Sequence, residues 1–289
     1  MSCPPIASYD FDSPDADVVL LSSEPQSPAH FRVHRSILTI ASPFFQDMFS
    51  LPQAPSTSTD ESQKIPIIPV SETRDVLEPL LRFVYPVPDP IITTLDDLNQ
   101  VLAAAIKYEF EVVVSTLRTF LLSPAFLQAS PVKVYSIACQ HDLVEEAKIA
   151  SRHTLSTDLL DLEGVAVEEL KRMAAYDYHK LLVLHKKRSE AALEFISKVD
   201  SCEDGAVKCM QCNGSVFTAN GPPKWWIEWE KRAREELQAR PTTDVVFGMD
   251  FLYAAARKGG CVRCPGSVLE SWKILADLKE AIDSLPSTI

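Results

Sequence analysis

The sequence predicts an α+β fold in which a small N-terminal sheet with helices is followed by helices alone. Two short strand patterns stand near the N-terminus, at residues 18–21 and 31–33. From Leu98 onwards, apolar residues recur instead at spacings of three and four, which is the period of a helix. With 289 residues, the chain is long enough for two or three modules that each bury a core.

The first two strands are predicted from apolar patterns on either side of a turn. Residues 18–21 read Val-Val-Leu-Leu between turn-forming residues, as expected of a buried strand. Phe31 and Val33 alternate with polar residues, which is typical of a strand with one exposed face. The Pro- and Ser-rich residues 24–29 separate the two patterns, so we expect the strands to pair across this turn.

A short helix and an edge strand are expected next. Ser42 can accept a backbone N–H at the start of a helix whose first residue is Pro43. Residues 51–64 are rich in Ser, Thr and Pro and predict a mobile loop. Residues 65–70 read Ile-Pro-Ile-Ile-Pro-Val, and their prolines place this strand at a sheet edge.

Helices account for the residues that follow. Pro79 predicts the first turn of a helix that ends before Pro86. Two amphipathic stripes on either side of a break at residues 109–110 predict a helical hairpin that ends near Leu121.

Three segments near the N-terminus resemble the opening of a BTB/POZ domain. They read DADV at 15–18, FRVHRSIL at 31–38 and SPFFQDMF at 42–49, in the order and at the spacing of that family. The resemblance implies a BTB/POZ domain over residues 15–122, and we expect residues 1–14 before it to be a disordered N-terminus. It also implies a protein-interaction role without catalytic residues, in which the domain forms a homodimer or a heterodimer with another BTB domain. His34, beside an apolar strand, is interpreted as structural.

The helix at 42–49 offers a candidate interface. Its apolar side chains would leave a patch on a monomer, and such patches usually mark an interaction surface. The candidate interface residues are Phe44, Phe45, Met48 and Phe49.

Residues 123–200 are predicted to be a helical extension. Ser130 and Pro131 start one helix, residues 141–142 break it, and apolar stripes continue to Val199. The segments VYSIACQHDLVEEAKIASRHTL and VEELKRMAAYDYHKLLVLHKKR are similar to the helical extension of BTB proteins from mushroom-forming (basidiomycete) fungi.

Residues 201–289 form a separate Cys- and Trp-rich segment, expected to be mainly helical. All four tryptophans lie here, together with two C-x-x-C pairs separated by 48 residues. Two such pairs can supply the four thiolates of a structural Zn²⁺ site, which leaves no open catalytic position. Unliganded core thiols and a redox dithiol are the alternatives, and Cys202 is a spare candidate ligand. The candidate metal ligands are Cys209, Cys212, Cys261 and Cys264.

We expect helices at 225–239 and 245–257 to fold back between the two pairs, so that the tryptophans pack around the site. Cys139 is expected to be buried, and Cys3 to be incidental.

Charge and composition narrow the functional classes. The net charge is −12, and residues 1–122 hold 16 acidic against 7 basic side chains. Without Lys/Arg clusters to neutralise phosphates, nucleic-acid binding is disfavoured. No apolar run approaches the ~20 residues of a membrane span, and residues 1–12 have neither the basic start nor the apolar core expected of a signal peptide. An odd number of cysteines without an export signal favours reduced thiols or a metal site, and we expect a location in the cytoplasm, the nucleus or both.

The enzyme class has little support. The sequence contains no G-x-G-x-x-G, Walker, G-x-S-x-G or H-E-x-x-H motif. A non-enzymatic interaction protein that acts as an adaptor or scaffold is therefore the leading interpretation.

Two finer roles follow from the resemblance. BTB proteins can be substrate adaptors of cullin-type ubiquitin ligases or transcriptional co-regulators. The cullin contact of the family uses a hydrophobic-x-Glu triplet in the loop before the edge strand, and residues 51–64 contain none. The chain also has no Cys₂His₂ finger.

We therefore predict that a cullin scaffold binds this protein weakly or not at all. Losing a central apolar anchor commonly costs ~2 kcal/mol or more, which is about thirtyfold in affinity. Titration of the protein with the N-terminal region of a cullin measures this. Sub-micromolar binding would refute the prediction and restore the ligase adaptor role.

Overall fold

A computed structural model describes residues 9–51, 65–161, 167–199, 207, 209–212 and 221–289. The chain divides into two compact units, residues 1–126 and 127–289. The predictions for the N-terminal tail before residue 9, the loop after Leu51, Cys3, and Cys202 lie outside the described residues. Among the described helices, none is long and apolar enough to cross a membrane.

The first unit is built on a three-stranded sheet. Its strands are β1 (Val18–Leu21), β2 (His30–Val33) and β3 (Ile67–Pro69), in the order β2-β1-β3. β2 runs antiparallel to β1, with Val18 opposite Val33, whereas β3 runs parallel to β1. Phe31 and Val33 are buried, as their alternation predicts. The edge position of the proline-containing strand is also confirmed.

Five helices complete the described part of this unit: α1 (Arg35–Ala41), α2 (Pro43–Ser50), α3 (Arg74–Val84), α4 (Leu95–Lys107) and α5 (Glu111–Leu121). The Ser42 hydroxyl accepts the Phe45 N–H at 3.1 Å, so the predicted cap of α2 is confirmed. The hairpin of α4 and α5 is confirmed too, and Glu109 at its break adopts a φ of 56°.

The predicted start of α3 at Pro79 is wrong. The helix begins five residues earlier, and Pro79 lies in its interior. Proline there removes one backbone hydrogen bond. The helix continues because its apolar face is buried on both sides of the proline, through Val76 and Leu77 before it and Leu80 and Leu81 after it. Tertiary packing thus outweighs the local signal.

Within its described residues, the second unit is built from helices joined by turns and contains no strand. Its described helices before residue 200 are α6 (Pro124–Ala129), which begins in the last residues of the first unit, α7 (Pro131–Gln140), α8 (Val144–Thr154), α9 (Val167–Arg172) and α10 (Ala175–Lys198). The predicted start at Pro131 and the break at residues 141–142 are confirmed, with Asp142 at a φ of 55°.

The remaining helices are α11 (Lys224–Ala239), α12 (Thr243–Val246), α13 (Met249–Lys258), α14 (Cys264–Glu270) and α15 (Trp272–Asp283). The single helix expected at 245–257 is instead two helices, because the chain leaves the helical conformation at Phe247 and restarts with Gly248 as the N-cap. One core joins Ala192 and Ile196 of α10 to the tryptophans of α11.

A buried arginine ties the end of this unit to α10. The guanidinium of Arg188 donates to the carbonyl oxygens of Pro241 at 2.9 Å, Ile282 at 3.1 Å and Pro286 at 3.1 Å, and also to that of Leu285. Hydrogen bonds from a charged donor are stronger than neutral ones. Arg188 therefore fixes the segment after α15 against the middle of α10.

His185 on α10 is buried, with 7% of its surface exposed. Its Nε2 lies 3.1 Å from the Thr154 hydroxyl, which itself donates to the Ser151 carbonyl. Burial lowers the pKa of His185 to about 4, although the charge of Asp158 acts in the opposite direction. The histidine is therefore neutral in the folded protein at pH 7.

We predict that this histidine destabilises the second unit in acid. A folded pKa of about 4, below the ordinary histidine value of 6.5, means that the unfolded chain binds the proton first as the pH falls. The contribution of neutral, buried His185 to the stability of the folded state is complete above pH 6.5 and is lost as the pH falls towards 4. In urea unfolding, the free energy of unfolding of the wild type should fall by about 2 kcal/mol more than that of His185→Gln between roughly pH 7 and pH 5.

The matched control is His179→Gln, which changes an exposed histidine on the same helix. This variant should follow the wild-type pH dependence. Equal pH dependence of wild type and His185→Gln would contradict the role of His185.

Candidate functional site

Four cysteines from two distant parts of the chain meet in the second unit. Cys209 and Cys212 lie on one short turn, and Cys261 and Cys264 lie on another between α13 and α14. All four Sγ atoms are within 4.8 Å of one another. The structure thus brings together every cysteine of the two C-x-x-C pairs.

The distances between the sulfurs suit a tetrahedral metal site. The Sγ atoms of Cys209 and Cys261 are 3.7 Å apart, and so are those of Cys212 and Cys264. Four sulfurs at ~2.3 Å from a central zinc would stand about 3.8 Å from one another. A disulfide would need about 2.05 Å. The cluster could therefore hold one metal ion through four thiolates.

Two glycines shape the turn that carries the second pair. Gly260 has a φ of 73°, a left-handed conformation that favours glycine. At Gly259, a Cβ atom would meet the Lys224 carbonyl oxygen at 2.9 Å, closer than real Cβ contacts. The chain can therefore turn sharply after α13 while it passes against the start of α11. Cys264 then donates its N–H to the Cys261 carbonyl at 3.2 Å and begins α14.

The N-terminus of α11 is directed at the sulfurs. The backbone N–H of Lys224 hydrogen-bonds to the Cys212 sulfur, and that of Trp225 hydrogen-bonds to the Cys264 sulfur. A helix N-terminus carries partial positive charge, which favours thiolates. Only the Pro222-Pro223 pair, a helix-start signal, could have pointed to these donors in the sequence.

Cys209, Cys212 and Cys264 differ in how readily they ionise. Burial raises the pKa of Cys212 and Cys264. Burial also acts to raise the pKa of Cys209, but hydrogen bonds led by the backbone groups of Gln211 and Cys212 outweigh it and lower that pKa to about 6. Thiolates this close repel one another, so a fully ionised set requires a cation between them.

The sulfur cluster is continuous with the aromatic core. Cys209, Cys261 and Cys264 are buried in the same core as Trp225, Trp226 and Trp229. The Trp229 indole donates to the Val246 carbonyl at 2.8 Å. The expectation that all four tryptophans pack around the site is wrong for Trp272, which is 66% exposed at the start of α15. Cys139 lies outside the cluster and is only half-buried, not buried as expected.

The candidate interface residues on α2 do not share one environment. Phe45 is 2% exposed and stacks on Tyr108, with ring centroids 5.3 Å apart, so it belongs to the core. Phe44 is 37% exposed, and Met48 and Phe49 are half-buried. Phe45 can therefore only support the surface that its neighbours form, and the interface itself stays a prediction.

The structure gives His34 partners that are distant in sequence. Its Nε2 lies 3.3 Å from the Asp15 carboxylate, and its Nδ1 lies 3.3 Å from the Tyr85 hydroxyl, which also accepts the His34 backbone N–H at 2.8 Å. Burial raises the pKa of Tyr85 to about 12, so this hydroxyl stays protonated. The contacts hold the start of α1 against the end of α3, in agreement with a structural role for His34.

Comparison with known proteins identifies the first unit. No curated protein matches the chain. Residues 12–124 match the family model of the BTB/POZ domain, a range that contains the whole sheet and α1 to α5. Domains of this family are non-enzymatic and mediate interactions between proteins. Residues 12–124 of this chain are therefore a BTB/POZ domain.

Proposed function

We propose that this protein is a non-enzymatic adaptor or scaffold that acts by binding other proteins. The observation that carries the proposal is the BTB/POZ domain at residues 12–124. In this proposal the domain pairs with a second copy or with another BTB domain, and the second unit provides a separate contact. The protein works in the reducing environment of the cytoplasm or nucleus, where cysteines persist as thiols or metal ligands.

An exposed apolar surface on α1 and α2 supports the pairing. Ile40, at the end of α1, is 86% exposed, and Phe44 lies just beyond it on α2. Large exposed apolar side chains that lie together are a common mark of an interface. In a two-fold symmetric dimer each of these residues occurs twice, so a single substitution affects two contacts.

We predict that the protein is a dimer in solution and that Ile40→Glu weakens it about tenfold or more. The substitution places a charge on the exposed apolar surface proposed for the contact, where truncating an anchor commonly costs ~2 kcal/mol. Light scattering at tens of micromolar measures the mass.

The control is Ile91→Glu, an equivalent change at an isoleucine of the same unit that is 64% exposed but lies outside α1 and α2. This variant should remain dimeric. A monomeric wild-type protein at the same concentration would exclude homodimers.

We also propose that Cys209, Cys212, Cys261 and Cys264 bind one structural Zn²⁺. The sulfur spacing of 3.7 Å, the burial of three ligands and the N–H groups at the start of α11 support this assignment. Four sulfur ligands favour zinc over the hard cations Mg²⁺ and Ca²⁺, and they leave no open position for substrate. The metal would therefore stabilise the fold of the second unit.

The zinc proposal predicts about one zinc per chain and a loss of structure when the metal is removed. Elemental analysis measures the metal, and tryptophan fluorescence reports the fold, because Trp225, Trp226 and Trp229 are buried. A chelator should shift the emission towards that of exposed tryptophan, since metal binding and folding are coupled.

Cys261→Ser should remove the zinc, whereas Cys139→Ser, at a half-buried cysteine outside the cluster, should retain it. Protein that purifies without metal and binds no added zinc would show that the four cysteines are only core residues.

A further inference from the structure

A buried hydroxyl group lies beside the sulfur cluster. Ser267 is on α14, the helix that Cys264 begins, and only 5% of its surface is exposed. Its hydroxyl hydrogen-bonds with the sulfur of Cys209, which belongs to the other C-x-x-C pair. This contact joins α14 to the turn that carries the first pair, independently of any metal ion.

The same hydroxyl lies near a second acceptor. Its oxygen is 3.1 Å from the carbonyl oxygen of Arg263, four residues earlier. Serine hydroxyls inside helices often donate to this carbonyl. The Arg263 oxygen also accepts the backbone N–H of Ser267, at 3.3 Å. The carbonyl therefore stays hydrogen-bonded when the hydroxyl proton is directed at the sulfur instead.

The state of Cys209 decides which acceptor receives the proton. A hydroxyl has a single proton and donates it to one acceptor at a time. A cysteine that binds a metal ion does so as the thiolate. Hydrogen bonds to a charged acceptor are about twice as strong as those to a neutral one. With a metal bound, the Cys209 thiolate is therefore a better acceptor than the Arg263 carbonyl.

Hydrogen-bond donors matter in this site because of its charge. Four thiolates around one Zn²⁺ leave an excess of negative charge in a buried place, and donors to the sulfurs offset the cost of burying it. Backbone N–H groups of Gln211, Cys212, Lys224 and Trp225 act in this way. A substitution cannot remove these groups without changing the backbone, whereas the hydroxyl of Ser267 can be removed alone.

We propose that Ser267 is a positioning residue of the metal site, whose hydroxyl donates to the Cys209 thiolate and raises the affinity for Zn²⁺. The inference rests on the zinc site proposed above. In it, α14 supplies one ligand directly, through Cys264, and holds a ligand of the opposite pair through Ser267. Loss of such an outer partner typically weakens metal binding about 10- to 100-fold.

Competition for zinc between the full chain and a chromophoric chelator measures the affinity. Ser267→Ala should weaken zinc binding about tenfold or more. Alanine is the best helix former, so α14 should persist and the circular dichroism spectrum of the zinc-loaded variant should match that of wild type.

The matched control is Ser271→Ala. Ser271 is also buried, but its hydroxyl donates to the Ser267 carbonyl at 3.2 Å rather than to a sulfur. This variant loses a buried hydroxyl of the same kind without losing a bond to a ligand. Its zinc affinity should stay within about twofold of wild type.

Cobalt(II) in place of zinc gives a readout that packing alone would not change. A hydrogen bond to a thiolate lowers the energy of the sulfur lone pairs that donate to the metal. Its loss in Ser267→Ala should therefore move the sulfur-to-cobalt charge-transfer band to longer wavelength. The band of Ser271→Ala should stay at the wild-type position.

The outcomes separate this inference from the zinc proposal. If wild type binds zinc and Ser267→Ala matches it in affinity and in the cobalt band, the role of Ser267 is overturned while the metal site stands. An equal loss of affinity in both serine variants, or a loss without a band shift, also overturns it, since packing would then explain the effect. Wild type that binds neither zinc nor cobalt would overturn the metal site itself.

Discussion

Two distant segments of the second unit meet where four sulfur atoms approach one another to within 4.8 Å, and this constraint shapes the turns and helix ends around them. Thiolates at this distance repel, and thiols attract one another only weakly, so the cluster contributes little stability by itself. Its geometry is set by surrounding groups: two tight turns, the glycines after α13 and the first N–H groups of α11. With a cation at its centre, the same cluster would become the strongest cross-link of the unit, joining segments that are 52 residues apart.

Local signals in the sequence predict most of the fold. Alternation identifies β2, apolar stripes identify the hairpin of α4 and α5, and Ser42 identifies the start of α2. The errors occur where packing outweighs local preference. Pro79 lies inside α3 because the buried face of that helix continues on both sides of it. No periodic signal marks the restart at Gly248, since apolar residues continue through the junction.

The candidate site, too, could be predicted from the sequence only in part. Spacing alone identified all four cysteines, because two thiols on a tight turn are recognisable without a structure. The backbone N–H groups that support them could not be identified. Every residue except proline has such a group, so the sequence does not show which of them lie near the sulfurs. The surface on α2 was only partly predictable, because four neighbouring apolar residues do not reveal which of them point inwards. Phe45 lies in the core, whereas Phe44 does not.

The parallel pairing of β1 with β3 has a consequence for how the first unit folds. Val19 is opposite Ile67, so the chain must close a loop of almost fifty residues before these strands can bond. Non-local contacts of this kind slow folding, since the entropy of the loop is lost before any contact forms. During synthesis, β1 and β2 can pair early, but the free edge of β1 stays open until the ribosome has released β3. A nascent chain would therefore expose a strand edge for some time, which is a point at which chaperones commonly act.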